Sequence, residues 1–147
     1  MRVYLDNCCY NRPFDPQSDL RIVFETLAKM QIQSMMRQGH LEYVWSDILV
    51  YEVTKNPFLD RRNVIFEWMD HASVYVESTS DVVAHGRELE TLGIKPKDAL
   101  HLASAKKAEC DWFLTTDRGI LRKVRNVGGM IVANPVEFTI QGGIDNE

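Results

Sequence analysis

The sequence predicts an α/β protein: a three-layer sandwich with helices on both faces of a mainly parallel, five-stranded sheet. Three observations carry that expectation. Short, continuously apolar runs such as Val3-Tyr4-Leu5 and Trp112-Phe113-Leu114 read as strands buried on both sides. Longer stretches between them place apolar residues at helical spacing. The length of 147 residues, 45% hydrophobic and 26% charged, suits one globular domain over 1–147 and argues against disorder.

Along the chain, Val3-Tyr4-Leu5 forms the first strand and residues 7–16 a loop broken by Pro13 and Pro16. A helix follows from about Ser18 to Gln38, its inward stripe being Leu20, Val23, Phe24, Leu27, Met30 and Met35, with Gly39 just past its end. Leu41 to Trp45 is the second strand, and Ser46 is placed to cap a helix carrying Ile48, Leu49, Tyr51 and Glu52. Asn56-Pro57 ends it. Phe58 to His71 is expected to be helical, with Val64, Ile65, Trp68 and Met69 inside. Ser73–Val76 is the third strand, Asp81–Leu92 a helix closed by Gly93, and Pro96 opens a helix reaching about Glu109. Trp112–Leu114 is the fourth strand, Ile120–Val124 a short helix, Met130–Ala133 the fifth strand, and 142–147 a frayed tail.

Composition narrows the function. No run approaches the roughly 20 apolar residues of a membrane-spanning helix, and Asp6 interrupts the opening too early for a secretion signal. Cys8, Cys9 and Cys110 form no metal-binding spacing and imply no disulfide framework, so three reduced thiols in a cytoplasmic protein are expected. The net charge of −4 hides a polarity: residues 95–125 hold eight Lys/Arg against four acids, a local +4 that leaves −8 for the rest. Local charge of this kind attracts polyanions regardless of the overall pI.

Ligands of open α/β sheets bind beyond the carboxyl ends of the strands. Asp6 directly follows the first strand and Asp117 follows the fourth, after Thr115-Thr116. Glu52 lies two turns into the helix after the second strand, and Asp98 in the first turn of the helix opened by Pro96. Singly, Asp98 would suit a helix dipole, Asp117 an N-cap and Asp6 the start of a loop. As a set, four converging carboxylates would repel one another unless a hard cation held them, and oxygen-only ligation suits Mg²⁺ or Mn²⁺. Such a centre beside a basic surface is what phosphodiester hydrolysis requires.

These residues resemble the PIN domain nucleases, and within them the VapC-type toxins of toxin–antitoxin pairs. The resemblance rests on Val-Tyr-Leu-Asp ending at Asp6, Ser-Asp-Ile-Leu-Val-Tyr-Glu ending at Glu52, Lys-Asp-Ala-Leu-His-Leu-Ala-Ser-Ala over 97–105, and Phe-Leu-Thr-Thr-Asp ending at Asp117. The ordered set spans almost the whole chain. It implies a Mg²⁺- or Mn²⁺-dependent endoribonuclease whose acids are Asp6, Glu52, Asp98 and Asp117. Metal binding falls most directly on Asp6, Asp98 and Asp117, Glu52 holds the attacking water or supports the ligands, and Thr115 lies beside the last acid. It also implies an RNA substrate, a small protein antitoxin and a homodimer.

Two departures stand out. Gly119 occupies a position where many relatives carry a further Asp, which would weaken or remove a second metal. The segment Asn7 to Asp15 differs from the usual family start, and Asn7, Asn11 and Arg12 there either touch RNA or build a loop. His101 shares the helix face of Asp98 and is expected to be a buried packing residue with one hydrogen bond; His40, His71 and His85 show no ligand spacing. Met30, Met35 and Met36, with Ile22 and Ile32 outside the main stripe, suit core packing and also a partner groove. Of Tyr10, Phe14 and Trp45, only Tyr10 is expected to stack on RNA rather than join the core. Two rival readings remain: a catalytically silent PIN-like module that binds RNA or a partner, and a phosphotransfer protein with Asp6 as nucleophile. The second would want Asp-x-Asp, and the chain has Asp6-Asn7-Cys8.

Overall fold

A computed structural model describes residues 1–141; the expected frayed tail, 142–147, lies outside the described residues. Six strands form one sheet: β1 (Arg2–Leu5), β2 (Glu42–Ser46), β3 (Val74–Val76), β4 (Trp112–Leu114), β5 (Asn126–Val127) and β6 (Met130–Ala133). Their order is β3-β2-β1-β4-β6-β5, parallel throughout except for the β5–β6 pair. The sixth strand, β5, is two residues long and precedes the Gly128-Gly129 turn, where both glycines take positive φ. A run that short carries no periodicity, which is why five strands were legible in the sequence and the sixth was not.

Chain order reverses beside β1. The chain leaves β1 toward β2 and β3 on one side, then returns to lay β4 on the other. The carboxyl ends of β1 and β4 therefore flank a crevice, the site at which doubly wound sheets hold ligands. The ladder runs to the last residue: the Asp6 amide donates to the Leu114 carbonyl at 2.9 Å, fixing Asp6 against the loop after β4.

Strand alternation divides the core. Tyr4 and its register partner Phe113 stack at 5.3 Å on the face covered by α6 (Pro96–Lys107), where Tyr4 reaches His101. Val3 pairs with Trp112, which meets Phe138 of α8 (Pro135–Gln141) at 5.0 Å on the opposite face. There α8 packs with α2 (Leu20–Arg37), while α5 (Ser80–Glu90) packs with α6. All three residues of β4 are buried, as helix layers on both faces demand.

Several local expectations are corrected. Residues 7–16 are not a loop: α1 (Asn7–Asn11) begins where the Asp6 carboxylate accepts from the Asn7 amide, and a 3-10 turn (Arg12–Phe14) follows. This helix turns Tyr10 inward, 1% exposed and edge-on to Trp45 at 5.0 Å, so Tyr10 is a core residue and no RNA platform. Asn7, Asn11 and Arg12 build structure: Asn11 bonds Asn7 and Asn56, and Arg12 pairs with Asp15 and Glu25. The segment 58–71 is α4 (Leu59–Phe66) and a 3-10 turn (Met69–His71), with Val64 facing water.

The largest correction concerns α2. Most of its expected inward stripe faces outward: Leu20, Phe24, Leu27 and Met30 are exposed and Val23 is half-buried, while Met35 packs against the core that Ile32 and Met36 enter. Glu25 turns the helix. Its carboxylate is 1% exposed and accepts from Arg12 Nε at 2.8 Å, with Arg21 Nε at 3.2 Å and Asn134 Nδ2 at 2.5 Å. A buried carboxylate must be fully paired, and the observed rotation of α2 brings Glu25 to Arg12 and Asn134 from outside the helix, while Arg21 on the same helix completes the pairing.

Candidate functional site

Asp6 is held on both sides. Its Oδ1 accepts from the Asn7 amide at 2.8 Å, and its Oδ2 accepts from the Thr115 hydroxyl at 2.8 Å. Thr115 is wholly buried, and its Oγ1 also accepts from the Asp117 amide at 3.1 Å, so one hydroxyl bridges the strand-end acid and the loop that carries the last acid. The Cys8 thiol closes the back of this junction, 3.5 Å from Asp6 Oδ2 and 3.4 Å from Thr115 Oγ1. Arg21 secures the next residue by donating to the Thr116 carbonyl at 2.6 Å.

Asp117 is the N-cap of α7 (Arg118–Lys123), its Oδ1 accepting from the Gly119 and Ile120 amides at 2.7 and 3.3 Å. One oxygen is thus committed to the helix. A Cβ at Gly119 would stand 3.0 Å from that oxygen, so a larger residue there requires the Asp117 side chain to shift. Asp98 and Asp117 share the wall of a small cleft with Lys95, Gly119 and Lys123.

Glu52, on α3 (Asp47–Thr54), receives a hydrogen bond from His101 Nε2 at 2.5 Å, and the same nitrogen is 3.7 Å from Asp6 Oδ1. On the far side of the ring, Nδ1 lies 2.6 Å from the Tyr4 hydroxyl, which lies 2.7 Å from Ser46 Oγ. Ser46 in turn caps α3 by accepting from the Leu49 amide. When only Nε2 carries a proton, Nδ1 accepts from Tyr4 and Tyr4 accepts from Ser46; when the ring is charged, both nitrogens donate, to Glu52 and to Tyr4. His101 is therefore more than the packing residue expected from sequence. Ligand atoms of Asp6, Glu52 and His101 lie within 4.8 Å of one another, a spacing that could hold a metal ion if His101 gave up its Nε2 proton; Asp98 and Asp117, expected ligands, are outside this group. The helical spacing of Asp98 and His101 was the available signal; the Glu52 partner lies 49 residues away and left no local trace.

The electrostatics follow from crowding. Burial, then Asp6 and Asp117, push the Asp98 carboxyl up to about 6, against the pull of His101. Burial alone would raise Glu52, but the His101 hydrogen bond, the His101 charge and Lys97 outweigh it and hold Glu52 below its ordinary value. His101 is pushed down by burial and, more strongly, up by Glu52, Asp6 and Asp98. The upward shifts of Asp98 and His101 both report negative charge gathered at the β1/β4 crevice, whereas the Glu52 shift reports its cationic neighbours. An oxygen-rich donor set under mutual repulsion fits a hard divalent cation. A cavity of about 630 Å³ lies elsewhere, lined by Arg37, Tyr43, Trp68 and His71 near the amino end of β2, and has none of the four acids on its wall.

Fold and site together describe an α/β sheet with acids at its switch point, an arrangement suited to metal-assisted phosphodiester chemistry. The PIN domain family model matches residues 12–126, and the chain belongs to that family. The match begins beyond Asp6, so it is the β1–β4 pairing that places Asp6 beside the matched acids. Similar solved structures include VapBC2 of Rickettsia felis bound to promoter DNA, at 15% identity and a TM-score of 0.56, covering 91% of this chain and 98% of that one. FitAcB of Neisseria gonorrhoeae matches at 19% identity and 0.56, covering 90% and 97%. DNA-bound VapBC of Salmonella typhimurium matches at 15% and 0.56, covering 92% and 98%. No curated protein sequence is similar enough to match.

Proposed function

We propose that the protein is a metal-dependent endoribonuclease that hydrolyses RNA phosphodiester bonds and acts in the cytoplasm as the toxin of a type II toxin–antitoxin pair. The observation that supports this reading is geometric: Asp6, Glu52 and His101 lie within 4.8 Å of one another, and Asp98 and Asp117 share one cleft wall. Asp6, Asp98 and Asp117, with Glu52, are the residues that would hold Mg²⁺ or Mn²⁺. When bound, such an ion supplies a more acidic water and stabilises charge on the phosphoryl oxygens.

The chain's own groups do the rest. Thr115 and the Asn7 amide fix both oxygens of Asp6, which leaves Asp6 a poor covalent nucleophile and disfavours phosphotransfer. His101 holds Glu52 by one oxygen, so the other is available to orient the attacking water and accept its proton. Lys95 and Lys123, on the cleft wall with Asp98 and Asp117, neutralise the phosphate as water attacks phosphorus and the P–O bond breaks. The test is cleavage of a structured RNA pool in Mn²⁺, Mg²⁺ or EDTA, with Asp98→Asn alongside. Cutting that disappears in EDTA and in the variant is expected. Undiminished cutting in EDTA would refute the metal, and RNA binding without cutting in any lane would select the silent module.

The exposed α2 stripe, Leu20, Phe24, Leu27 and Met30, is the surface we assign to the antitoxin. Three of the similar solved structures are of VapBC or FitAB bound to DNA, which supports a small protein partner for this chain. A second copy of the chain is the competing occupant. Light scattering on Phe24→Lys decides between them, because only a homodimer through this face would dissociate when the chain is alone.

A further inference from the structure

Beside the acids lies a surface that the site does not use. Tyr51 immediately precedes Glu52 on α3 and is 47% exposed. Two ammonium groups attend its ring: Lys55 Nζ at 5.1 Å from the centroid and Lys97 Nζ at 5.7 Å. Neither lysine forms an ion pair among the described residues. Lys97 stands close enough to the site to lower the Glu52 carboxyl. The pattern repeats at the start of α4, where Phe58 is 53% exposed and the Arg61 guanidinium lies 4.0 Å from its ring centroid, again without an ion pair among the described residues.

We propose that Tyr51, flanked by Lys55 and Lys97, is a stacking platform for an unpaired nucleotide next to the scissile phosphate, and that Phe58 with Arg61 continues the path of a single-stranded RNA. This rests on the nuclease reading and deepens it. Flat rings interleaved with free cations are how single-stranded nucleic acid is held, the bases on the rings and the phosphates on the cations. Lysines near a ring face are a modest attraction at an exposed site. Their long stems let them move to phosphates while a base takes the ring. Leu59 and Val64 add exposed apolar area on α4, but the rings of Tyr51 and Phe58 are attended by Lys55, Lys97 and Arg61, which favours a polyanion over a protein partner at these rings. A duplex is excluded by chemistry, because a paired base has no face to give to Tyr51. Positive charge gathered here also runs against a chain whose net charge is −4.

The test uses a 12-nucleotide single-stranded RNA carrying 2-aminopurine, bound in EDTA so that it stays intact, with anisotropy for affinity and base fluorescence for stacking. The native protein is expected to bind and quench the probe. Tyr51→Phe keeps both, Tyr51→Ala weakens binding about 5- to 100-fold and loses the quench, and Lys55→Gln with Lys97→Gln flattens the salt dependence by about one ion. Tyr51→Ala binding and quenching like the native protein overturns the platform. Cleavage of the RNA pool in Mn²⁺ separates the two ideas. If the native protein cuts while Tyr51→Ala binds normally, only the platform falls. If the native protein neither binds nor cuts RNA, the nuclease reading falls and takes the platform with it.

Discussion

His101 ties the candidate site to the core, and replacing it with leucine tests that link. The ring is wholly buried and makes two hydrogen bonds, to Glu52 and to Tyr4. Leucine fills most of the space and makes neither. Tyr4 would keep Ser46, so its loss is about 1 kcal/mol, whereas the charge-assisted bond to the half-buried Glu52 is worth about 1.5–3 kcal/mol. The total is about 3 kcal/mol, which a urea titration of a domain this size reads as a midpoint lowered by about 2 M. Tyr4→Phe and the double variant complete a cycle, and a coupling of about 0.5–1.5 kcal/mol is expected because the residues share one network. Cleavage should fall at least tenfold, since Glu52 loses the group that orients it. His101→Leu that costs under about 1 kcal/mol, or that cuts RNA at the native rate, would refute this account.

Three further outcomes follow from other buried groups. Burial pushes the Lys29 ammonium down to about 8 from 10.5, so between those values the unfolded chain holds a proton that the folded chain has released, and stability rises with pH. Lys29→Met should therefore be more stable than the native protein by about 3 kcal/mol at pH 7, with the gap closing toward pH 10 in a thermal series. Glu25→Ala leaves Arg12 and Arg21 facing an empty, buried position and should cost about 3–5 kcal/mol in denaturant, while Asn134→Ala costs less. Gly119→Asp, which would restore the acid many relatives carry, should instead crowd the Asp117 cap, lowering the melting temperature and slowing cleavage.

The layers, the parallel strands and the two acids that directly follow strands, Asp6 and Asp117, are legible from the chain alone. Those features are written locally: apolar runs mark buried strands, and a carboxylate directly after such a run must emerge at the sheet's edge. Tertiary structure decided which way amphipathic pieces face. The α2 pattern has apolar residues on two sides, and Glu25 chose between them through Arg12, Arg21 and Asn134, the last of which lies 109 residues away. The partnership of His101 with Glu52 and Tyr4, the bridge from Thr115 to Asp6, and the meeting of Lys97 with Tyr51 arise likewise from elements far apart in the chain. Local propensity carries no information about such pairs, because the free energy that selects them exists only once the polar groups are buried together and must satisfy one another.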